Sequence, residues 1–197
     1  MKRWLLALFG CVPAVCFAQA APTGESKQFA VEGAGRLECA AYMEARKDKG
    51  SAEFQRLMGF VEGYLSAANR YEPNTFDLSP WHNAMAFDII IENFCKDHGK
   101  VTLVSVVQQM VIGFRTIRIA KFSPMIEVGE GKYRAVVYEA VLRRSQQALK
   151  IHGFYTGGED GRFSKQLSDS FSRFQKSKGL EATGVPDPAT LWMLLNP

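Results

Sequence analysis

Histidine and cysteine are scarce in this chain, with three of one and four of the other among 197 residues. His82, His98 and His152 fall in no HxxxH-like spacing, so the convergent ligand set of a zinc hydrolase is missing. A thiol transpeptidase needs a free cysteine beside a histidine. Cys95 and His98, three apart, could meet on a helix, but a free thiol there would leave Cys39 without a partner. Paired carboxylates for glycosidic cleavage, and with them a cell-wall hydrolase or its regulator, stay open as an alternative, although Glu62 and Glu92 sit on ordinary amphipathic patterns. Long apolar runs are also lacking: beyond the first twenty residues none reaches membrane-spanning length. The reading is of a non-enzymatic chain with no catalytic residue, metal or cofactor.

The first twenty residues read as a secretory signal peptide. Lys2 and Arg3 give a basic start, Trp4 to Phe17 an apolar stretch, and Ala18-Gln19-Ala20 a small-x-small cleavage site. Leu8-Phe9-Gly10-Cys11 faintly resembles a lipoprotein signal, but bulky Phe9 and the short run before Cys11 argue against lipidation. Cleavage after Ala20 would lower the formal charge from +4 to +2, too little to suggest nucleic-acid binding. It would also remove Cys11 and Cys16. Cys39 and Cys95 would remain, and a lone pair in an oxidising compartment, here the periplasm, most simply forms one disulfide. Closing that loop contributes about 4 kcal/mol in the chain-entropy model.

Residues 21–30 read as a disordered leader, and 31–112 as a helical domain. Cys39, Tyr42 and Met43 share one helical face; Phe54, Leu57, Met58, Val61, Leu65 and Ala68 recur at helical spacing over four turns. Ser79-Pro80 is expected to start a third helix carrying Phe87, Ile90, Ile91 and Phe94. Thr102 is expected to cap a fourth with Leu103, Val106, Val107 and Met110. Residues 113–135 read as a basic linker in which Arg115, Arg118, Lys121, Lys132 and Arg134 face only Glu127 and Glu130, with a short extended piece near Met125 to Val128. A solvated joint and a contact with an anionic wall polymer both fit that composition. From 136 to 197 three more helices are expected: one marked by Val137, Val141, Ala148 and Leu149, one capped by Ser164, one capped by Asp187-Pro188. The expected fold class is all-α, a disulfide-tied helical bundle followed by a small three-helix domain.

The glycine-rich run Gly153 to Phe163 joins two of these helices. Glu159 and Asp160 are adjacent and no acid closes the run, which excludes a helix–loop–helix calcium site. No Gly-Lys-Ser/Thr opens the next helix, which excludes a phosphate cradle. Turn chemistry remains: Gly153 stops a helix, Gly157-Gly158 and Asp160-Gly161 allow positive φ, and Ser164 restarts. Gly179, Thr183-Gly184 and Asp187 repeat the idea, with Gly153 and Gly179 26 apart and Asp160 and Asp187 27 apart.

Two resemblances follow. Ser145-Gln146-Gln147-Ala148-Leu149, Gly153-Phe154-Tyr155-Thr156-Gly157, Asp160-Gly161-Arg162-Phe163, Phe174-Gln175, Gly179-Leu180, Thr183-Gly184, Asp187 and Thr190-Leu191 resemble the three-helix peptidoglycan-binding domain over 136–197. Ser164 stands where that pattern usually has glycine. The resemblance implies a helical domain that docks on cell-wall glycan or stem peptide, with Tyr155, Arg162 and Gln175 as ligand-binding candidates near the loop surface. Cys39-Ala40-Ala41-Tyr42, Gly59-Phe60-Val61-Glu62-Gly63-Tyr64 and Ile91-Glu92-Asn93-Phe94-Cys95 resemble the HdeA-like periplasmic proteins, disulfide-tied bundles that include acid-stress chaperones and toxin-immunity proteins. That resemblance implies a protein partner or client. Gly59 and Gly63 are read as close helix-packing positions.

Overall fold

The computed structural model describes residues 29–196. The expected signal peptide, and all but the last two residues of the expected leader, lie outside them. Seven helices are formed among the described residues: α1 (Cys39–Ala45), α2 (Ala52–Tyr71), α3 (Ala84–Cys95), α4 (Leu103–Phe114), α5 (Glu139–Ile151), α6 (Lys165–Ser177) and α7 (Pro188–Leu195). Two strands, β1 (Met125–Glu130) and β2 (Tyr133–Tyr138), pair antiparallel between α4 and α5.

The hairpin corrects the all-α expectation. Gly131 and Lys132 form a two-residue turn, and Gly131 supplies its positive φ of 59°. Val128 and Val137 point into the core while Glu127 and Val136 stay outside, the period-two alternation of a half-covered ribbon. The apolar spacing places Val137 in a helix; β-branched Val136-Val137 beside Tyr138 instead extends the strand, and α5 begins at Glu139.

Two cores are buried. The first gathers Cys39, Tyr42, Leu57, Val61, Leu65, Ile91, Leu103 and Val107 from α1–α4. The Cys39–Cys95 disulfide ties the start of α1 to the end of α3 across a separation of 56 residues. A part-buried ion cluster around Asp88 also ties α1 to α3. Asp88 accepts from the Tyr42 hydroxyl at 2.7 Å, from Arg46 at 2.8 and 2.9 Å, and from Lys49 at 2.6 Å. Arg46 also pairs with Glu92 at 2.9 Å. Burial works to raise the Asp88 pKa, but the Arg46, Lys49 and Tyr42 hydrogen bonds outweigh it and hold the carboxyl far below the ordinary range. Burial, helped by Asp88, pushes Tyr42 up.

Two expectations about this module change. The third helix starts four residues later than expected, with Asn83 as its cap: the Asn83 side chain accepts from Ala86 N–H. Ser79 to His82 form a turn because Trp81 is drawn away into the second core. Gly59 and Gly63 pack against nothing; both are exposed, and a Cβ on either would meet open space.

The second core holds Trp81, Ile119, Val128, Val137, Val141, Leu142, Leu149, Leu167, Phe171, Phe174, Leu191 and Leu194. Trp81 donates from Nε1 to Asn196 Oδ1 at 3.2 Å, and the Arg144 guanidinium lies 5.7 Å from its ring centroid. Arg144 also donates to the carbonyls of Ile117 and Arg118. Asp77 and Ile119 exchange backbone hydrogen bonds, at 3.1 and 2.8 Å. The segment before α3 is thereby fixed to the C-terminal helices through the Trp81 side chain and to the segment after α4 through its backbone.

Candidate functional site

The C-terminal loops are built around two buried glutamines. Gln146, fully buried on α5, accepts from Gly161 N–H at 2.8 Å and donates to Asp160 Oδ1 at 2.8 Å and Arg162 O at 3.1 Å. Gln175, fully buried on α6, accepts from Gly184 N–H at 2.8 Å. Its amide nitrogen lies 2.8 Å from Thr183 Oγ1 and Thr190 Oγ1, 2.9 Å from Val185 O and 3.1 Å from Asp187 Oδ2. Each side chain completes a loop whose backbone would otherwise be buried unpaired.

Gly161 and Gly184, the two glycines so held, are required twice over. Their φ values are 75° and 73°, and a Cβ would come within 2.8 Å of Glu139 Cγ in one case and 2.6 Å of Ser168 Oγ in the other. The two connections share this logic without being copies. Phe154 N–H and Leu180 N–H bond back to Leu149 and Gln175, which makes Leu149 the counterpart of Gln175. Gln146 sits one turn earlier. Asp187 caps α7 by accepting from Thr190 N–H, whereas Asp160 accepts from Arg162 N–H and Ser164 caps α6. The Gln146 amide first, then the Arg162 N–H, holds the Asp160 carboxyl below its ordinary pKa.

The three residues expected near the loop surface separate. Arg162 is there, with an exposed side chain. Tyr155 is buried and donates its hydroxyl to Gly158 O at 3.1 Å. Gln175 is interior. The spacing that marks Tyr155 and Gln175 in the sequence is the spacing of loop supports.

A different set of groups meets a few residues away. Between β2, the start of α7 and the turn before α3 runs an open cleft of about 360 Å³. Its lining includes Ser79, His82, Asn83, Arg134, Tyr138 and Pro188. His82 lies edge-on to Trp192, with centroids 5.4 Å apart, and 4.8 Å from the Phe114 ring. Burial pushes its pKa down to about 4, so the ring is neutral at pH 7. Its Nδ1 is buried without a hydrogen-bond partner. Burial, with Asp77 beside it, raises the Tyr138 pKa. Nothing in the sequence joins these residues, which come from three segments more than forty residues apart.

Reactive groups are otherwise dispersed. Both Cys39 and Cys95 are in the disulfide, so the Cys95–His98 pair has no thiol. His98 instead bonds through Nδ1 with the Phe94 carbonyl at 2.7 Å. Among the described residues no group of three or more His, Cys, Asp or Glu is placed to hold a metal ion. No helix among them is long and apolar enough to cross a membrane.

Residues 138–194 match the family model of the peptidoglycan binding domain. That stretch, 57 of the 197 residues, is what the chain shares with the family. The match begins at the last residue of β2 and takes in α5, α6, nearly all of α7, and both glutamine-held loops. Comparison with curated proteins and with solved structures gives no match. The peptidoglycan-binding domain and the disulfide together point to an extracytoplasmic protein.

Proposed function

We propose that this is a non-enzymatic periplasmic protein, exported by a cleaved signal peptide, that holds peptidoglycan through residues 136–197 and a protein partner or client through its HdeA-like module at 31–112. The observation that carries the reading is the family match over 138–194, supported by loops fixed in shape by the buried Gln146 and Gln175. Rigid loops of this kind suit a preorganised contact surface, since little order remains to be lost on binding. Two faces of the domain are open to the wall: the Gly153–Phe163 loop with Arg162, and the cleft beside Pro188.

The partner reading rests on the groove of about 490 Å³ between α2 and α4, where Tyr64, Tyr71 and Ile112 present apolar surface beside the Arg115–Glu72 ion pair. An acid-stress chaperone or a toxin-immunity protein anchored to the wall is the second reading. The Asp88 cluster favours the first of these, because a carboxyl held so low keeps its partners into acid.

Pelleting of the purified mature chain with insoluble sacculi tests the primary function. Retention is expected, with no release of soluble muropeptides. A chain that stays in the supernatant contradicts the proposal, and muropeptide release would make the protein a hydrolase.

A further inference from the structure

The 360 Å³ cleft is built jointly by the peptidoglycan-binding domain and by residues outside it. One wall is the turn Ser79–Asn83 before α3, the facing wall is β2 from Arg134 to Tyr138, and the end is closed by Pro186–Pro188 at the start of α7. Ser79 to Asn83, and β2 up to Val137, lie outside the matched residues. The walls hold fixed spacing, because Trp81 behind the turn is locked into the second core by Asn196 and Arg144 while Asp77 is hydrogen-bonded to Ile119. A cleft this size lies at the low end of small-ligand sites, roughly 300–1,000 Å³.

Charge decides what it fits. The lining carries two carboxylates, Asp77 and Asp187, against one cation, Arg134, and Arg134 already faces Glu127 at 3.3 Å. An anionic stem peptide meets net repulsion there. The other polar groups of the lining are neutral: the Ser79 hydroxyl, the Asn83 amide nitrogen beside the oxygen that caps α3, the His82 ring, and the Tyr138 phenol next to Asp77. They alternate with the flat, CH-rich faces of Pro80 and Pro188. Hydroxyl and amide partners set among such faces suit an N-acetylated sugar, whose ring has polar edges and apolar flats.

Building on the peptidoglycan reading above, we propose that this cleft binds a saccharide segment of the wall polymer, and that the turn before α3 supplies half of the site. The helical module is then part of wall recognition.

The test uses the full mature chain, intact sacculi, glycan strands stripped of their stem peptides, and free stem peptide. Val136→Trp places bulk on an exposed position of the cleft wall, and Lys47→Ala alters an exposed residue outside the cleft lining. Wild-type protein is expected to bind sacculi and stripped strands, Val136→Trp to lose at least tenfold in affinity, Lys47→Ala to be unchanged, and free stem peptide not to compete. NMR shifts of the Asn83 and Val136 amides on adding stripped strands to wild-type protein give a reading independent of how any variant folds. Wild-type binding with those amides unmoved, with folded Val136→Trp unaffected, or with competition by stem peptide alone overturns the cleft assignment only. Failure of wild-type protein to bind sacculi overturns the function with it.

Discussion

Gln175 shows how much one interior side chain holds. Its carbonyl oxygen takes the buried Gly184 N–H, and its amide serves the ring of acceptors from Thr183 to Thr190. Truncation leaves several of these unpaired in a core with little room for water, so Gln175→Ala is expected to destabilise the chain by about 2–3 kcal/mol. A shift in urea midpoint with unchanged slope would measure it. In sequence, Gln175 reads as a polar residue on an amphipathic helix, and nothing in the pattern distinguishes an exposed glutamine from one wrapped by the following loop. Four of the glycines were legible, since positive φ at Gly153, Gly161, Gly179 and Gly184 is local chemistry, whereas Gly157 and Gly158 do not take the positive φ expected of them. Their supports were not, because Gln146 and Gln175 act across 15 and 9 residues.

His82 carries a pH signature of its own. Its folded pKa is depressed by burial to about 4 from an ordinary 6.5, so the unfolded chain takes up the proton first as pH falls. Stability is therefore expected to drop between pH 6.5 and 4 by up to roughly 3 kcal/mol, and His82→Phe should flatten that window. Asp88 has the opposite sign. Its folded pKa lies below its ordinary value of 3.8, so its contribution is full above that pH and fades only as pH falls further. The stability gap between wild type and Asp88→Asn, about 2–3 kcal/mol given the half-exposed Lys49, should stay level from pH 7 to 4 and narrow below. Urea titrations across this range separate the two residues.

At the scale of elements, α2 contains an unforced weakness. Gly59 and Gly63 sit mid-helix with open space where a Cβ would go. Each Gly→Ala substitution should stabilise the chain by about 0.5–1 kcal/mol, read as a rise in melting temperature. The apolar stripe of α2 was plain from its period, because 3.6-residue recurrence reports burial directly: Phe54, Leu57, Met58, Val61 and Leu65 are all buried. The start of α3 was misplaced because Ser79-Pro80 satisfies the local rules for a helix start, while the force that sets the boundary is the long-range burial of Trp81. The hairpin was only half visible. Met125 to Val128 was expected to be extended, but Val136-Val137 leads directly into α5, so their apolar character fits either element.

For the whole molecule, the two cores are joined at Trp81, Ile117, Ile119 and Arg144, with the disulfide bracing the first core. Reduction, or Cys95→Ala paired with Cys39→Ala, is expected to cost about 4 kcal/mol through the freed 56-residue separation. A molecule knitted in this way holds the C-terminal helices and the turn before α3 in fixed relation to one another. The most direct measurement is a sacculus-pelleting isotherm of the mature full-length chain at physiological salt. Saturable retention, lost to excess soluble glycan strands, is the expected result; protein that remains wholly in the supernatant across the titration would contradict it.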